Sequence, residues 1–208
     1  LGPWLGNGDT GSSIITTPDY ELADEVEAVE GEGRRTEFKH GSFRFRAGPS
    51  LREGAVKHAE TLQGRLRLLG VLNNKHIPEQ YLLASKEQRL SLLQGLIDTD
   101  GYVAPNGQIE FCSTIDRIAH GVQRLVWSLG VKCSILYGRA MLYGKDCGPK
   151  YRVFFHLKDA ARVSRKAGHC RTGIKSTRRY IRVEKFGTAD TVCILSLIHI
   201  SEPTRLLS

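Results

Sequence analysis

The stretch SLLQGLIDTDGYV (residues 91–103) sets two aspartates and a glycine at the end of an apolar helical run. Leu92, Leu93, Leu96 and Ile97 recur at helical spacing, Ser85 with Gln88 three residues on reads as a capping-box start, and Gly101 suits a helix stop. Asp98 and Asp100 then fall in the last turn, where free carbonyls already carry partial negative charge. A carboxylate there costs roughly 0.3–1 kcal/mol. From these residues alone two readings stand: a helix stop followed by a turn, or acids held for a cation. An EF-hand loop is excluded, because a third early acid is lacking and Ile109 takes the twelfth position counted from Asp98.

Outward from this helix, GYVAPNGQIEFCST (101–114) predicts two short strands around a Pro-Asn-Gly turn. TIDRIAHGVQRLVWSLG (114–130) predicts an amphipathic helix with Ile118, Val122, Leu125, Val126 and Leu129 inward. KCSILYGRAMLY (132–143) and KYRVFFHLK (150–158) predict two more strands joined by GKDCGP, and a helix is expected near 158–166. The amino-terminal half reads as a degraded copy. LGPWLGNG (1–8) stands where GLIDTDG does, SSIITTPDYELADEVEAVE (12–30) echoes QIEFCSTIDRIAHGVQRL (108–125), and FRFRAG (43–48) is a later strand. Asn7 against Asp100 gives an offset of 93, and Asp19 against Asp116 gives 97, a drift that a short insertion explains. Two such units describe a pseudo-dimer rather than a solenoid, which needs three or more repeats. Each offers a twisted antiparallel sheet, and strands can lie in the DNA major groove.

Gly95 and Gly2 lack the side chains that would keep two central helices apart. Their carboxyl ends then converge, and acids there define a cation site suited to Mg²⁺ and phosphate oxygens. Composition agrees with an anionic partner: Lys+Arg 30 against Asp+Glu 22 gives a net charge of +8, which makes nucleic acid the first expectation. The five cysteines are scattered without a C-x-x-C pair, which speaks against a disulfide framework or a zinc site. Neither a signal peptide nor a run of about 18 apolar residues is found, so no membrane partner is expected and a cytoplasmic setting is. The chain opens on Leu1, inside a motif, and reads as a fragment. LSLIHISEPTRLLS (195–208) is set aside: its first eleven residues are the translation of a DNA stretch that resembles a transposon-end sequencing adapter.

LLQGLIDTDGYV resembles the LAGLIDADG motif of homing endonucleases, and several blocks agree with it. LGPWLGNGDTGS is similar to the first motif of the dodecapeptide-type enzymes carried by inteins, and NKHIPEQYLLASKEQRLSLLQGLIDTDG to the lysine-bearing block before the second motif. GQIEFCSTIDRIAHGVQRLVWSLGVKCSI and YRVFFHL resemble the downstream hairpin and helix blocks. RRYIRVEKFGTADTVCI (178–194) is similar to the approach to an intein's carboxy-terminal splicing block, of the kind found in replicative helicases or phage proteins. The resemblance covers residues 1–194 and implies an α+β fold of two pseudo-symmetric αββαββα repeats forming a DNA-binding antiparallel β-saddle. Its parts are a first repeat over 1–84, a second over 85–182, and the start of a splicing region over 183–194.

The activity so implied is Mg²⁺-dependent, site-specific double-strand cleavage of DNA at a long recognition site, by a monomer acting as a pseudo-dimer. The chain would be embedded in a host protein before splicing and come from a prokaryote or phage. The resemblance puts the second motif's metal-binding acid at Asp100 and leaves Asp98 as helix-end structure. It matches the family's catalytic lysine to Lys75 and a symmetry-related one to Lys166, each a mobile point charge for the attacking water or the phosphorane. In the first motif the metal-binding position is Asn7, where the family carries an acid, with Asp9 two residues on. A neutral amide there makes a cleavage-deficient, DNA-binding remnant the alternative. A transcription regulator is a third reading, but no helix-turn-helix is found. Arg44, Arg46, Lys132, Arg139, Arg152, Arg171, Lys175, Arg178, Arg179 and Arg182 are the candidates for DNA contact, with Arg44 and Arg46 sharing one strand face.

Overall fold

A computed structural model describes residues 1–48, 60–172 and 187–188. The elements below all lie in one compact unit, Leu1–Ile174; of the second unit, Lys175–Ser208, only residues 187 and 188 are described. The chain order is α1 (Gly2–Asn7), β1 (Ile15–Thr17), α2 (Tyr20–Glu30), β2 (Arg34–Glu37), β3 (Phe43–Arg46), α3 (Leu62–Leu68), α4 (Glu79–Leu82) and α5 (Lys86–Asp100). Then come β4 (Gly101–Val103), β5 (Ile109–Ser113), α6 (Asp116–Ser128), β6 (Cys133–Leu142), β7 (Lys145–Phe155) and α7 (Ser164–Ala167).

The capping box forms as expected: Gln88 N–H donates to Ser85 Oγ at 3.3 Å, and Ser85 N–H donates to Gln88 Oε1 at 3.2 Å. All four apolar stripe residues of α5 are buried, as are Ile118, Val122, Leu125 and Val126 of α6, with Leu129 packed at the edge of the same core. β4 and β5 pair antiparallel around the predicted turn.

The two sheets repeat one topology. The second has strand order β4-β5-β7-β6, and the first has β1-β3-β2, all antiparallel. The missing fourth strand survives as a single bridge, Gly8 to Ile15, which matches the Gly101–Phe111 pair of the second sheet. This α+β arrangement of central helices and antiparallel sheets agrees with the expected fold class. One hydrophobic core runs through both halves, including Trp4 and Phe45 from the first and Leu93, Phe111 and Val153 from the second.

Three local expectations are corrected. The helix near 158–166 is only the turn Ser164–Ala167, because the N–H groups of Arg162 and Val163 go to the Asp98 carboxylate instead of a helical ladder. GKDCGP is not a loop: β7 begins at Lys145, and the reversal needs only Tyr143 and Gly144, both left-handed at φ 49° and 77°. β2, with its sequence RRTE, is a strand that hydrophobic alternation does not announce.

What joins the halves is the contact of α1 with α5. A Cβ added to Gly2 would lie 2.5 Å from Leu92 O, and one added to Gly95 would lie 2.9 Å from Pro3 N. Gly95→Ala is therefore expected to cost about 1–3 kcal/mol through forced separation of the helices. Gly138→Ala, on an open strand with nothing within 4 Å and an ordinary φ, should be near neutral. Urea midpoints of the two variants check this, and equal midpoints would reject the close-packing account.

Candidate functional site

Both central helices end in the same way. α1 ends at Asn7 and α5 at Asp100, each followed by a glycine in extended conformation (Gly8 φ −78°, ψ 149°; Gly101 φ −88°, ψ 149°). Each glycine N–H bonds the carbonyl four residues back, Trp4 O or Ile97 O. Gly101 is needed for space rather than for a left-handed turn: a Cβ would lie 2.6 Å from Ile97 O.

Carbonyls at and just past these helix ends, where helical partners run out, accept from lysines far along the chain. Lys75 Nζ donates to Leu5 O and Gly6 O at 3.1 Å and to Gly8 O at 2.6 Å. Lys166 Nζ donates to Ile97 O and Asp98 O at 2.7 Å and to Thr99 O at 3.4 Å. A cation is favourable at a helix carboxyl end, and each lysine serves the central helix of its own repeat. Both are buried, and burial lowers both pKa values, that of Lys166 to about 8. The sequence reading expects mobile point charges here. The structure instead engages all three ammonium donors of each with backbone oxygens.

The two aspartates part ways. Asp98 is 1% exposed, and its carboxylate accepts from Arg162 N (3.0 and 3.2 Å) and Val163 N (3.1 Å), so it docks the 160s segment onto α5. Asp100 is pushed toward neutrality by burial, against the pull of the positive charges of Lys75 and Lys166. A Cβ built on Gly6 would lie 3.5 Å from the Asp100 carboxyl carbon, so this acid sits against the end of α1, beside the residue preceding Asn7. Asp9 is turned elsewhere: Arg44 Nη2 donates to its Oδ2 at 2.8 Å. Among the described residues no group of three or more His, Cys, Asp or Glu could hold a metal. At this junction stand the Asp100 carboxylate and, at the end of α1, Asn7, residue types whose oxygens suit a hard divalent cation.

The basic candidates divide by register. Phe43 and Phe45 point into the core, so Arg44 and Arg46 share the outer face of β3. Arg34 stands directly opposite Arg46 on that face. Sequence reading missed it, because RRTE shows no alternation. On the second sheet Arg152 lies opposite Cys112 on the face away from Val153 and Phe155, with Lys150 on the same side, also missed. Arg139 is placed differently. It pairs in register with Pro149, on the opposite face from Arg152, and Asp146 accepts from its Nε and Nη2 at 2.9 and 2.6 Å. Lys132 is exposed between α6 and β6, and exposed Arg171 lays its stem against Gly107 in the β4–β5 turn. Lys175, Arg178, Arg179 and Arg182 lie outside the described residues.

The fold and site define a class: two α+β repeats joined by their central helices, with an acid-bearing, lysine-capped helix pair at the junction. Residues 87–168 match the family model described as LAGLIDADG-like domain, and this part of the chain carries such a domain. It is 36% identical over 170 residues to the replicative DNA helicase DnaB of Mycobacterium intracellulare, which covers 81% of this chain and 25% of the helicase. It is 31% identical over 166 residues to the ATP-dependent DNA helicase Hel308 of Thermococcus kodakarensis, covering 74% and 14%. The chain thus spans a quarter or less of these relatives. Among solved structures it is similar to mesophilic variants of the homing endonuclease I-DmoI (TM-score 0.49, 14% identity, 76% of this chain and 87% of that one). A complex of I-DmoI with DNA and Mn gives a TM-score of 0.44 at 14% identity, over 71% and 75%.

Because the folded pKa of Lys166 lies below the ordinary 10.5, the folded state releases this proton first as pH rises. Between about pH 8 and 10.5 the unfolded chain binds more protons, so stability contributed through this site rises with pH. The stability of the native chain relative to Lys166→Met is expected to improve by about 2–3 kcal/mol across that window. Urea unfolding at several pH values measures it, and a constant difference would refute the buried, charged lysine.

Proposed function

We propose that the chain is a site-specific endonuclease for double-stranded DNA, carried as the endonuclease portion of an intein. The observation that carries this reading is the junction itself: Asp100 against the end of α1, between two buried lysines, with basic outer sheet faces on both repeats. The helicase matches support the intein setting, since the shared segment makes up only 25% and 14% of two helicases from different organisms, as an inserted element would.

Asp100, with Asn7 as the weaker neutral partner, would hold Mg²⁺, which when bound supplies positive charge to a phosphate and lowers the pKa of a water. Lys75 and Lys166 offset the negative helix ends and favour the ionised form of Asp100 against the opposing effect of its burial. The outer faces hold the duplex by charge, so binding should fall steeply with salt. Asn7 favours a second reading, a DNA-binding protein impaired in cutting. An amide removes a unit of negative charge from one half of a two-fold site.

The test uses a supercoiled plasmid carrying the uninterrupted host-gene junction, incubated with Mg²⁺ and followed through nicked and linear forms. The chain as written is expected to nick or to linearise slowly, Asn7→Asp to linearise faster, and Asp100→Asn to bind without cutting. If Asp100→Asn cuts normally, the assignment of the acid fails. If Asn7→Asp changes nothing, the first-motif position is misassigned, and Asp9→Asn becomes the informative variant.

A further inference from the structure

Arg44 and Arg152 occupy equivalent places in the two repeats. Gly8 bridges to Ile15, and Gly101 pairs with Phe111. Ile15 pairs with Phe45, and Phe111 with Val153. One step further along each ladder stand Thr16 opposite Arg44 and Cys112 opposite Arg152. Counted from the glycine that closes its central helix, each arginine sits at the same register position on the outer face.

Each is also flanked by a carboxylate and an aromatic ring, with two nitrogens engaged at Arg152 and one at Arg44. Arg152 donates from Nε and Nη2 to the two Glu110 oxygens at 2.5 and 2.7 Å, and its guanidinium lies 4.9 Å from the Phe154 ring centre. Arg44 donates from Nη2 to Asp9 at 2.8 Å and lies 5.2 Å from the Phe38 ring centre. The supporting residues do not correspond. Glu110 belongs to β5 and Asp9 follows Gly8; Phe154 neighbours Arg152 on its own strand, while Phe38 lies between β2 and β3. The two repeats therefore share the setting of the arginine rather than one copied side-chain pair.

A guanidinium already matched by a carboxylate adds little to general phosphate attraction, but its plane and its fork are fixed. Both side chains remain 39% exposed. With Nε and one Nη2 hydrogen engaged, Arg152 keeps an Nη1–Nη2 edge that offers two parallel N–H groups. The base edge that accepts such a fork is O6 and N7 of guanine in the major groove.

We infer that Arg44 and Arg152 are a symmetry-related pair of guanine readers, each aimed by its own carboxylate and ring. The DNA target then carries a guanine at two positions related by the two-fold, one on each strand. This rests on the endonuclease reading above and goes beyond it to two bases of the target.

Selection by the 208-residue chain from a library of randomised double-stranded DNA tests it. Enriched duplexes are expected to share guanines at two two-fold-related positions. Arg152→Lys and Arg152→Ala should each lower discrimination at one position by roughly tenfold, and the same changes at Arg44 should do so at its mate. Preferences elsewhere persist, which reports that the variants fold. Glu110→Gln and Asp9→Asn should blur the same two positions although the arginine remains. Enriched duplexes without the guanine pair would overturn the inference, as would arginine variants that weaken all duplexes equally. Failure of the unaltered chain to enrich any duplex is a separate outcome, which removes the DNA-binding reading and this inference with it.

Discussion

The backbones of α1 and α5 approach so closely at Gly2 and Gly95 that a single methyl group on either would strike the other helix. That approach brings two helix carboxyl ends together, each carrying partial negative charge, and adds two aspartates from α5. Left alone, such a junction would be strongly unfavourable. Its neutralisation determines much of what surrounds it. Lys75 and Lys166 reach in from outside the helix pair, and the 160s segment offers Asp98 two backbone N–H groups. The acid at the wrong end of the helix is tolerated because cations and amides were brought to it.

The two-fold relation is kept where packing demands it and abandoned where chemistry differs. The closing glycines, the lysine caps and the sheet registers correspond closely. Leu5 stands where the second repeat has Asp98, Gly6 where it has Thr99, and Asn7 where it has Asp100. The Gly6–Thr99 pair follows from the contact itself: a Cβ on Gly6 would lie 2.8 Å from the Thr99 Cβ, so only one of the two positions can carry a side chain. The Asn7–Asp100 difference has no such steric cause, since the two side chains are of equal size, and is one of charge.

The sequence shows the second repeat far better than the first, for physical reasons. α5 and α6 announce themselves by apolar spacing and a capping box that the structure keeps. α1 is six residues with two glycines and a proline, too short and too weak in propensity to be read without its counterpart. β2 carries no apolar residue, because both its faces are exposed. The convergence of the two helix ends was legible from glycine placement, but of the nearby acids only Asp100 lies against the other helix, since Asp98 and Asp9 are bonded elsewhere. The lysine caps were not, since their function depends on carbonyls about 70 residues away in the chain. Register also separates Arg139 from Arg152, and a bulge between Arg139 and Met141 hides that relation from simple alternation.

The lysine caps also bear on the order in which the molecule assembles. Lys75 closes the end of a helix formed 70 residues earlier, and Lys166 does the same at a separation of 69 residues. Neither helix end can be satisfied until the chain of its own repeat has travelled around the sheet and returned. Contacts of such long separation carry a large loop-closure cost and come late in folding. The contact of Gly2 with Gly95 spans a longer stretch still, so the pairing of α1 with α5 has no head start over the caps, and the helix-end carbonyls stay hydrated until the chain returns. The charged centre is thus assembled from distant parts of the chain, and a chain interrupted between α5 and Lys166 would present the helix pair with one of its two cations missing.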